Sequence, residues 1–397
     1  MTTTATQFRR TRFTILSYLL LGYFGILLVM LSALMPFVSD RLELNYGLTS
    51  LHLTLSAIGA FMVGTYGDWL ARKIGNGRAA WMAALLGTAA LAGIALGNAL
   101  WITLPLAFFH GTGSGGTAQF TSAALSDEQT THRAKAIAES NVISATGVAV
   151  GPLLVGGLLN FGFGLVAAVI VSGVLLAVLA GYFQGVRFPQ PLATVDNTGN
   201  RRTDEPLPLM FWMFCVLLFI GVSIEWMTLF WTPDFLSDVI GYERGTAATL
   251  ISVQAVAIVV GRLAGLRLLN YMTNRTLLVL AFGWVLLSYP VYLFSPLPLL
   301  NVMGLFSVGL GIGNLFPLCF SGAMVAAGAH TGRASARVSL FGSGAILIMP
   351  NLVGNLADQI TIRPAMTVAM LLCVIAIGIG VAVNRMQDSK TVPQPML

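Results

Sequence analysis

Glu225 and Arg262 stand inside long apolar runs, the glutamate near the centre of residues 209–236 and the arginine well within 246–269. In hydrocarbon a carboxylate is costly unless it is protonated or paired. An acid so placed suits proton coupling, or holding a polar solute while its own charge changes, with the arginine as a nearby partner. The plainer alternative is a permanent structural ion pair. Around Glu225 polar residues recur at helical spacing: Gly221, Glu225, Thr228 and Thr232 fall at i, i+4, i+7 and i+11. His110, Ser114, Thr117 and Thr121 repeat that spacing, and Ser307, Gly311, Asn314 and Ser321 share one helix face. Such stripes look inward, because lipid offers no hydrogen-bond partner. Glu225, Arg262, His110, Asn314, Thr228 and Ser114 are therefore candidates for substrate contact or proton coupling. Serine and threonine also bond their own backbone, so for Thr228 and Thr117 that structural role carries equal weight. Glu139 and Asn141 suit an inner gate, and Asp234 is expected to be solvated.

Other chemistries lack their residues. No His-x-x-x-His, Gly-x-Ser-x-Gly or acidic metal cluster is present, so an intramembrane enzyme is not expected. No phosphate loop of Gly-x-x-x-x-Gly-Lys-Ser/Thr type offers ATP drive, and no filter-like loop or charged ring suggests a channel. Cys215, Cys319 and Cys373 lie singly in apolar runs and read as small buried hydrophobes. Neither a metal nor a cofactor is expected.

The elements that must position these residues follow from composition. Of 397 residues, 56% are hydrophobic and 9% charged, far too few charges to cover a water-soluble globule. The 43 glycines suit close packing of membrane helices. A formal charge of +6 comes from basic residues scattered in short turns, which excludes a nucleic-acid surface. Apolar stretches long enough to cross a bilayer are placed at 13–37, 48–67, 79–98, 101–124, 136–159, 162–185, 209–236, 246–269, 276–294, 299–323, 335–357 and 364–384. The basic start resembles a signal peptide, but the apolar run behind it is too long and lacks an Ala-x-Ala site, so a retained first span is expected.

One long polar connection, Gly185 to Pro208, divides the spans six and six. The expected organisation is an N-terminal bundle over 1–185, a cytoplasmic linker over 186–208 and a C-terminal bundle over 209–397. The halves repeat. At a shift of 198, Gly111, Gly113 and Gly115 fall on Gly309, Gly311 and Gly313, His132 on His330, and Pro152 on Pro350. Six spans per half give the repeats the same orientation, a known design for alternating-access transporters with a site near the midplane. With the N-terminus inside, 17 basic residues lie on the cytoplasmic side and only Arg41, Arg244 and Arg363 outside. The positive-inside rule then puts both termini in the cytoplasm.

After the second span comes GTYGDWLARKIGNGR, with Gly64 and Asp68 four apart and Arg72, Lys73 and Arg78 behind them. It resembles the major facilitator signature G-x-x-x-D-R/K-x-G-R/K, lengthened by two or three residues before its basic part. The resemblance implies a latch in which Asp68 meets the N-terminus of span eleven. Gly147, Gly151, Pro152 and Gly156 resemble the G-x-x-x-G-P helix-packing motif of the same superfamily. Gly221, Glu225, Trp231, Gly261 and Arg262 are similar to a pattern of the fucose-permease-like branch, which adds Trp231 to the candidate substrate residues.

The expectation is an all-α integral membrane protein with the twelve-helix major facilitator fold. It would move a small solute by alternating access, coupled to protons as a symporter, with a sugar-like substrate, in the inner or plasma membrane and as a monomer. Proton-driven efflux of drugs or metabolites is the rival within transport. A membrane sensor without transport is the rival of another class.

Overall fold

In a computed structural model, the structure describes residues 8–189, 207–328 and 331–391, and every regular element among them is helical. The connection expected over 186–208 lies mostly outside the described residues, with Asn197, Arg201 and Glu205 among those not described. The first half holds α1 Arg12–Leu42, α2 Tyr46–Ile74, α3 Asn76–Leu96, α4 Leu100–Glu128, α5 Arg133–Asn160 and α6 Leu165–Tyr182. The second holds α7 Leu209–Asp234, α8 Arg244–Leu268, α9 Asn274–Phe294, α10 Pro298–Ala327, α11 Thr331–Ile360, the short α12 Ile362–Met366 and α13 Val368–Thr391.

Among the described residues, 11 segments are long and apolar enough to cross a membrane, α12 and α13 together supplying the last. Of the twelve expected spans, the one in α4 falls outside that set. At 29 residues α4 is long enough, but His110, Thr112, Ser114, Thr117 and four glycines dilute its hydropathy.

The chain forms two compact units, Met1–Leu42 with Leu55–Arg201, and Glu43–Thr54 with Arg202–Leu397. Thus the first turns of α2 belong to the second unit, although the sequence assigns them to the first bundle. In unit one, α1 is buried along most of its length, and its backbone meets that of α5. A Cβ on Gly147 would lie 2.0 Å from the Gly22 carbonyl oxygen. Only glycine lets two membrane helices approach this closely.

Packing reproduces the sequence repeat. Gly111 faces Ser56 and Gly113 faces Gly87 in unit one; 198 residues on, Gly309 faces Gln254 and Gly311 faces Val285 in unit two. The turn before the second helix of each half also contains a left-handed residue, Glu43 with φ 51° and Gly241 with φ 88°.

Candidate functional site

α7 is 26 residues of almost unbroken apolar sequence. Pro233 frees a backbone carbonyl near its end, and a π turn over Phe235–Val239 carries the helix onward. That continuation corrects one expectation. Asp234 is not a solvated helix end but only 3% exposed, because the helix path extends beyond it.

Glu225 and Trp226 are half-buried and face a cavity of about 350 Å³ within unit two. Its walls are Val222, Glu225 and Trp226 from α7, Arg262 from α8, Phe316 and Phe320 from α10, and Val338, Ser339, Gly342, Ser343 and Ile346 from α11. Arg262 Nε–H donates to the Gly313 carbonyl at 3.2 Å, a bond that fixes the guanidinium on α10. Among the described residues it forms no direct ion pair with the Glu225 carboxyl. Thus one acid, one cation and two serine hydroxyls, a helical turn apart, share an otherwise aromatic and aliphatic pocket. Such walls can offer donors and an acceptor to a polar solute, and the acid can exchange a proton.

Sequence reasoning missed Ser339 and Ser343, although their i, i+4 spacing on α11 was the same signal read on three other helices. It also missed Gln254, fully buried on α8 beside α7, whose Nε2 lies 3.5 Å from the Glu225 main-chain oxygen. The Gln254 side-chain oxygen has no hydrogen-bond partner among the described residues.

The remaining predicted residues are held by protein groups away from this pocket. Thr228 donates to the Ile224 carbonyl at 2.6 Å and meets the Tyr289 hydroxyl at 2.5 Å. Thr232 is paired with Tyr292 at 2.9 Å in the same manner. Trp231 is fully buried and gives its indole N–H to the Pro350 carbonyl at 3.0 Å. Asn314 Nδ2–H donates to the Gly261 carbonyl at 2.9 Å, tying α10 to α8. In unit one, His110 is 1% exposed. Its Nε2–H donates to the Leu27 carbonyl at 3.1 Å and its Nδ1 accepts from the Ser56 hydroxyl at 3.2 Å. That neutral tautomer braces α4 against α1 and α2. Ser114 bonds the Gly111 carbonyl of its own helix at 3.4 Å.

A family model described as Major Facilitator Superfamily matches residues 14–350. The chain belongs to the major facilitator superfamily. It is similar to the uncharacterized transporter y4wD of Sinorhizobium fredii, with 29% identity over 182 residues, 44% of this chain and 48% of that protein. It is also similar to the glucose/mannose transporter GlcP of Bacillus subtilis, with 24% identity over 208 residues, 51% of this chain and 49% of that one. The chain thus spans about half the length of each of these curated relatives. In fold it resembles the crystal structure of a bacterial homologue of the human lysosomal transporter Spinster, in an inward-facing and occupied conformation. The TM-score is 0.79 at 12% identity, over 98% of this chain and 100% of that one. Both of these curated relatives are named as transporters.

In this major facilitator, Asp68 is exposed near the end of α2 and accepts a long hydrogen bond from Gln119 of α4 at 3.4 Å. A Cβ on Gly64 would meet open space. Arg72, Lys73 and Arg78 are exposed, with the Lys73 ammonium 4.5 Å from the centre of the Trp69 ring. In α5, Gly151 faces Ile26 of α1, while Pro152 and Gly156 are buried. Glu139 receives two hydrogen bonds from Arg10, at 2.9 and 2.8 Å, and one from the Tyr18 hydroxyl at 2.9 Å. Through that hydrogen bond and charge, Glu139 holds the Arg10 guanidinium even more firmly protonated than usual.

Proposed function

We propose that this transporter couples the movement of a small, sugar-like solute to protons, with Glu225 as the coupling carboxyl and Arg262 as the cation that senses its charge. The observation that carries this reading is that both line one cavity while Arg262 is bonded to the Gly313 carbonyl and not to the carboxylate. A carboxyl free of a fixed counter-ion can take a proton in one step of the cycle and release it in another. The resemblance of the α7–α8 residues to the fucose-permease-like branch supports a sugar-like substrate, as does the similarity to a relative named as a glucose/mannose transporter.

The two repeats, residues 1–185 and 209–397, act as the moving halves, joined by a cytoplasmic linker over 186–208. The charge asymmetry supports an inner or plasma membrane location with both termini inside, and the protein works as a monomer. The glycine–proline run of α5 supports proton-driven export as a second reading, separated from import by the direction of gradient-driven flux.

The test is transport by Glu225→Gln in proteoliposomes, with exchange measured apart from accumulation. Accumulation should be lost, and the exchange that remains should no longer depend on pH. Accumulation at the wild-type level with the wild-type pH profile would remove Glu225 from coupling, and a parent protein that moves no solute would leave the sensor reading.

A further inference from the structure

A second cleft, of about 730 Å³, opens within unit two between α8 and α9 and over α10, and it shares no lining residue with the Glu225 pocket. Leu280, Trp284 and Leu287 on its α9 wall are 53%, 52% and 75% exposed. Apolar side chains so exposed on a membrane-spanning helix meet lipid. From Leu277 to Leu287 the wall rises roughly 15 Å at helical pitch, about half of a hydrocarbon core roughly 30 Å thick. The cleft is therefore one leaflet long.

Gly283 makes the recess. It lies between Leu280 and Leu287 on the outward face of α9, and a Cβ there would meet nothing within 4 Å. In the first half its place is taken by leucine in either register, Leu86 at a shift of 197 and Leu85 at 198. The recess thus belongs to the second half alone. Polar groups on its walls are spent inside the protein. The Trp284 indole N–H donates to the Ser307 carbonyl at 3.0 Å, and Asn314 Nδ2–H to the Gly261 carbonyl at 2.9 Å. An occupant finds contact area and little hydrogen bonding, which suits a hydrocarbon chain and not a polar solute.

The end of the cleft at Leu268 and Met272 is basic. Arg267 lies in the last turn of α8 and Arg275 in the first turn of α9, and among the described residues neither forms an ion pair. Between them Tyr271 is 85% exposed, as aromatic anchors at a membrane interface are. The turn that carries them is fixed, since Asn274 Nδ2–H donates to the Leu318 carbonyl of α10 at 3.0 Å and Thr273 Oγ1 accepts the Thr276 N–H at 3.2 Å. Two unpaired guanidinium groups at the interface end of an apolar slot are complementary to an anionic headgroup with its chain in the slot.

We propose that this cleft binds one anionic phospholipid of the leaflet bordering the α8–α9 turn, with an acyl chain along Gly283 and the phosphate at Arg267 and Arg275. The site depends neither on the transported solute nor on the direction of transport.

The test is native mass spectrometry of the full chain in detergent with dioleoyl phosphatidylglycerol or dioleoyl phosphatidylcholine. The anionic lipid should be retained about fivefold more than the zwitterionic one. Arg267→Gln with Arg275→Gln, both at the surface, should erase that preference. Gly283→Leu fills open space, so it should elute as wild type in size-exclusion chromatography yet retain several-fold less phosphatidylglycerol. Equal retention of the two lipids by the wild type, or wild-type retention by Gly283→Leu, would overturn the site. Glycerol phosphate at the same concentration should displace no lipid; displacement would assign the arginines to a free phosphate compound. A dimer that Gly283→Leu converts to monomer would give the cleft to a second copy of the chain, against the proposal.

Discussion

Arg262 Nε donates to the Gly313 carbonyl at 3.2 Å, although Glu225 lines the same cavity. The guanidinium is held by the backbone of α10, so it can attract the carboxylate without neutralising it. The two side chains should therefore be coupled but separable. Arg262→Met should destabilise the protein, and Glu225→Gln with Arg262→Met should cost less than the sum of the single changes. The expected coupling is on the order of 1 kcal/mol, modest because both groups are only half-buried. A double-mutant cycle of thermal unfolding in detergent measures it, and strict additivity would show that the charges do not interact.

His110 uses both ring nitrogens on protein groups, one toward Leu27 and one toward Ser56. His110→Phe removes the second hydrogen bond to the Leu27 carbonyl and takes from the buried Ser56 hydroxyl its side-chain partner, which should cost about 1–3 kcal/mol. The pH profile of transport should keep its shape, because the ring is enclosed. A lower melting temperature with an unchanged profile is the expected pair of results, and a displaced profile would return His110 to the proton path.

The α1–α5 seam should tolerate almost no added volume. Gly147→Leu drives a side chain into the Gly22 carbonyl, 2.0 Å from where even a Cβ would lie. Destabilisation of about 3 kcal/mol or more is expected, seen as loss of folded protein in size-exclusion chromatography. Gly64→Leu, where a Cβ meets nothing, should elute as wild type and serves as the matched control.

Topology is checked by single cysteines at Asn197 and Glu243 in a cysteine-free background. In sealed cells an impermeant thiol reagent added outside should label position 243 and spare 197. The reverse pattern would invert the orientation drawn from 17 basic residues against three.

Asp68 should matter for the population of states more than for stability, since its described partner is a single 3.4 Å bond from Gln119. Asp68→Asn should leave the unfolding free energy within about 0.5 kcal/mol of wild type. It should still alter the distance distribution between spin labels on the cytoplasmic ends of the two halves. Unchanged distances together with unchanged transport would remove the latch.

The sequence by itself determined the solvent, the class and the repeat. So few charges among so many long apolar runs admit only a bilayer, and in a bilayer a chain without strand alternation must satisfy its backbone as helices. The 198-residue register was equally legible, because glycines that let backbones touch cannot be exchanged freely. The structure shows the same pairs, Gly111 with Ser56 and Gly309 with Gln254, in both halves. That Glu225 and Arg262 each need a partner was legible too, since hydrocarbon makes an isolated charge costly.

Tertiary structure decided which polar residues are already occupied. A periodic stripe says that a helix face seeks partners, but not whether a solute or a neighbouring helix supplies them. Thr228 and Thr232 lie on the same stripe as Glu225 and are taken by Tyr289 and Tyr292 of α9, whereas Ser339 and Ser343 reach the cavity from a helix whose stripe went unread. Asp234 was misplaced because a π turn lengthens α7 beyond the apolar run. Asp358 drew no notice in the sequence, since a carboxylate at a helix end is ordinary until the amides of Tyr46 and Gly47, more than 300 positions away, are folded against it. Periodicity is a property of one helix, and partnership is a property of two.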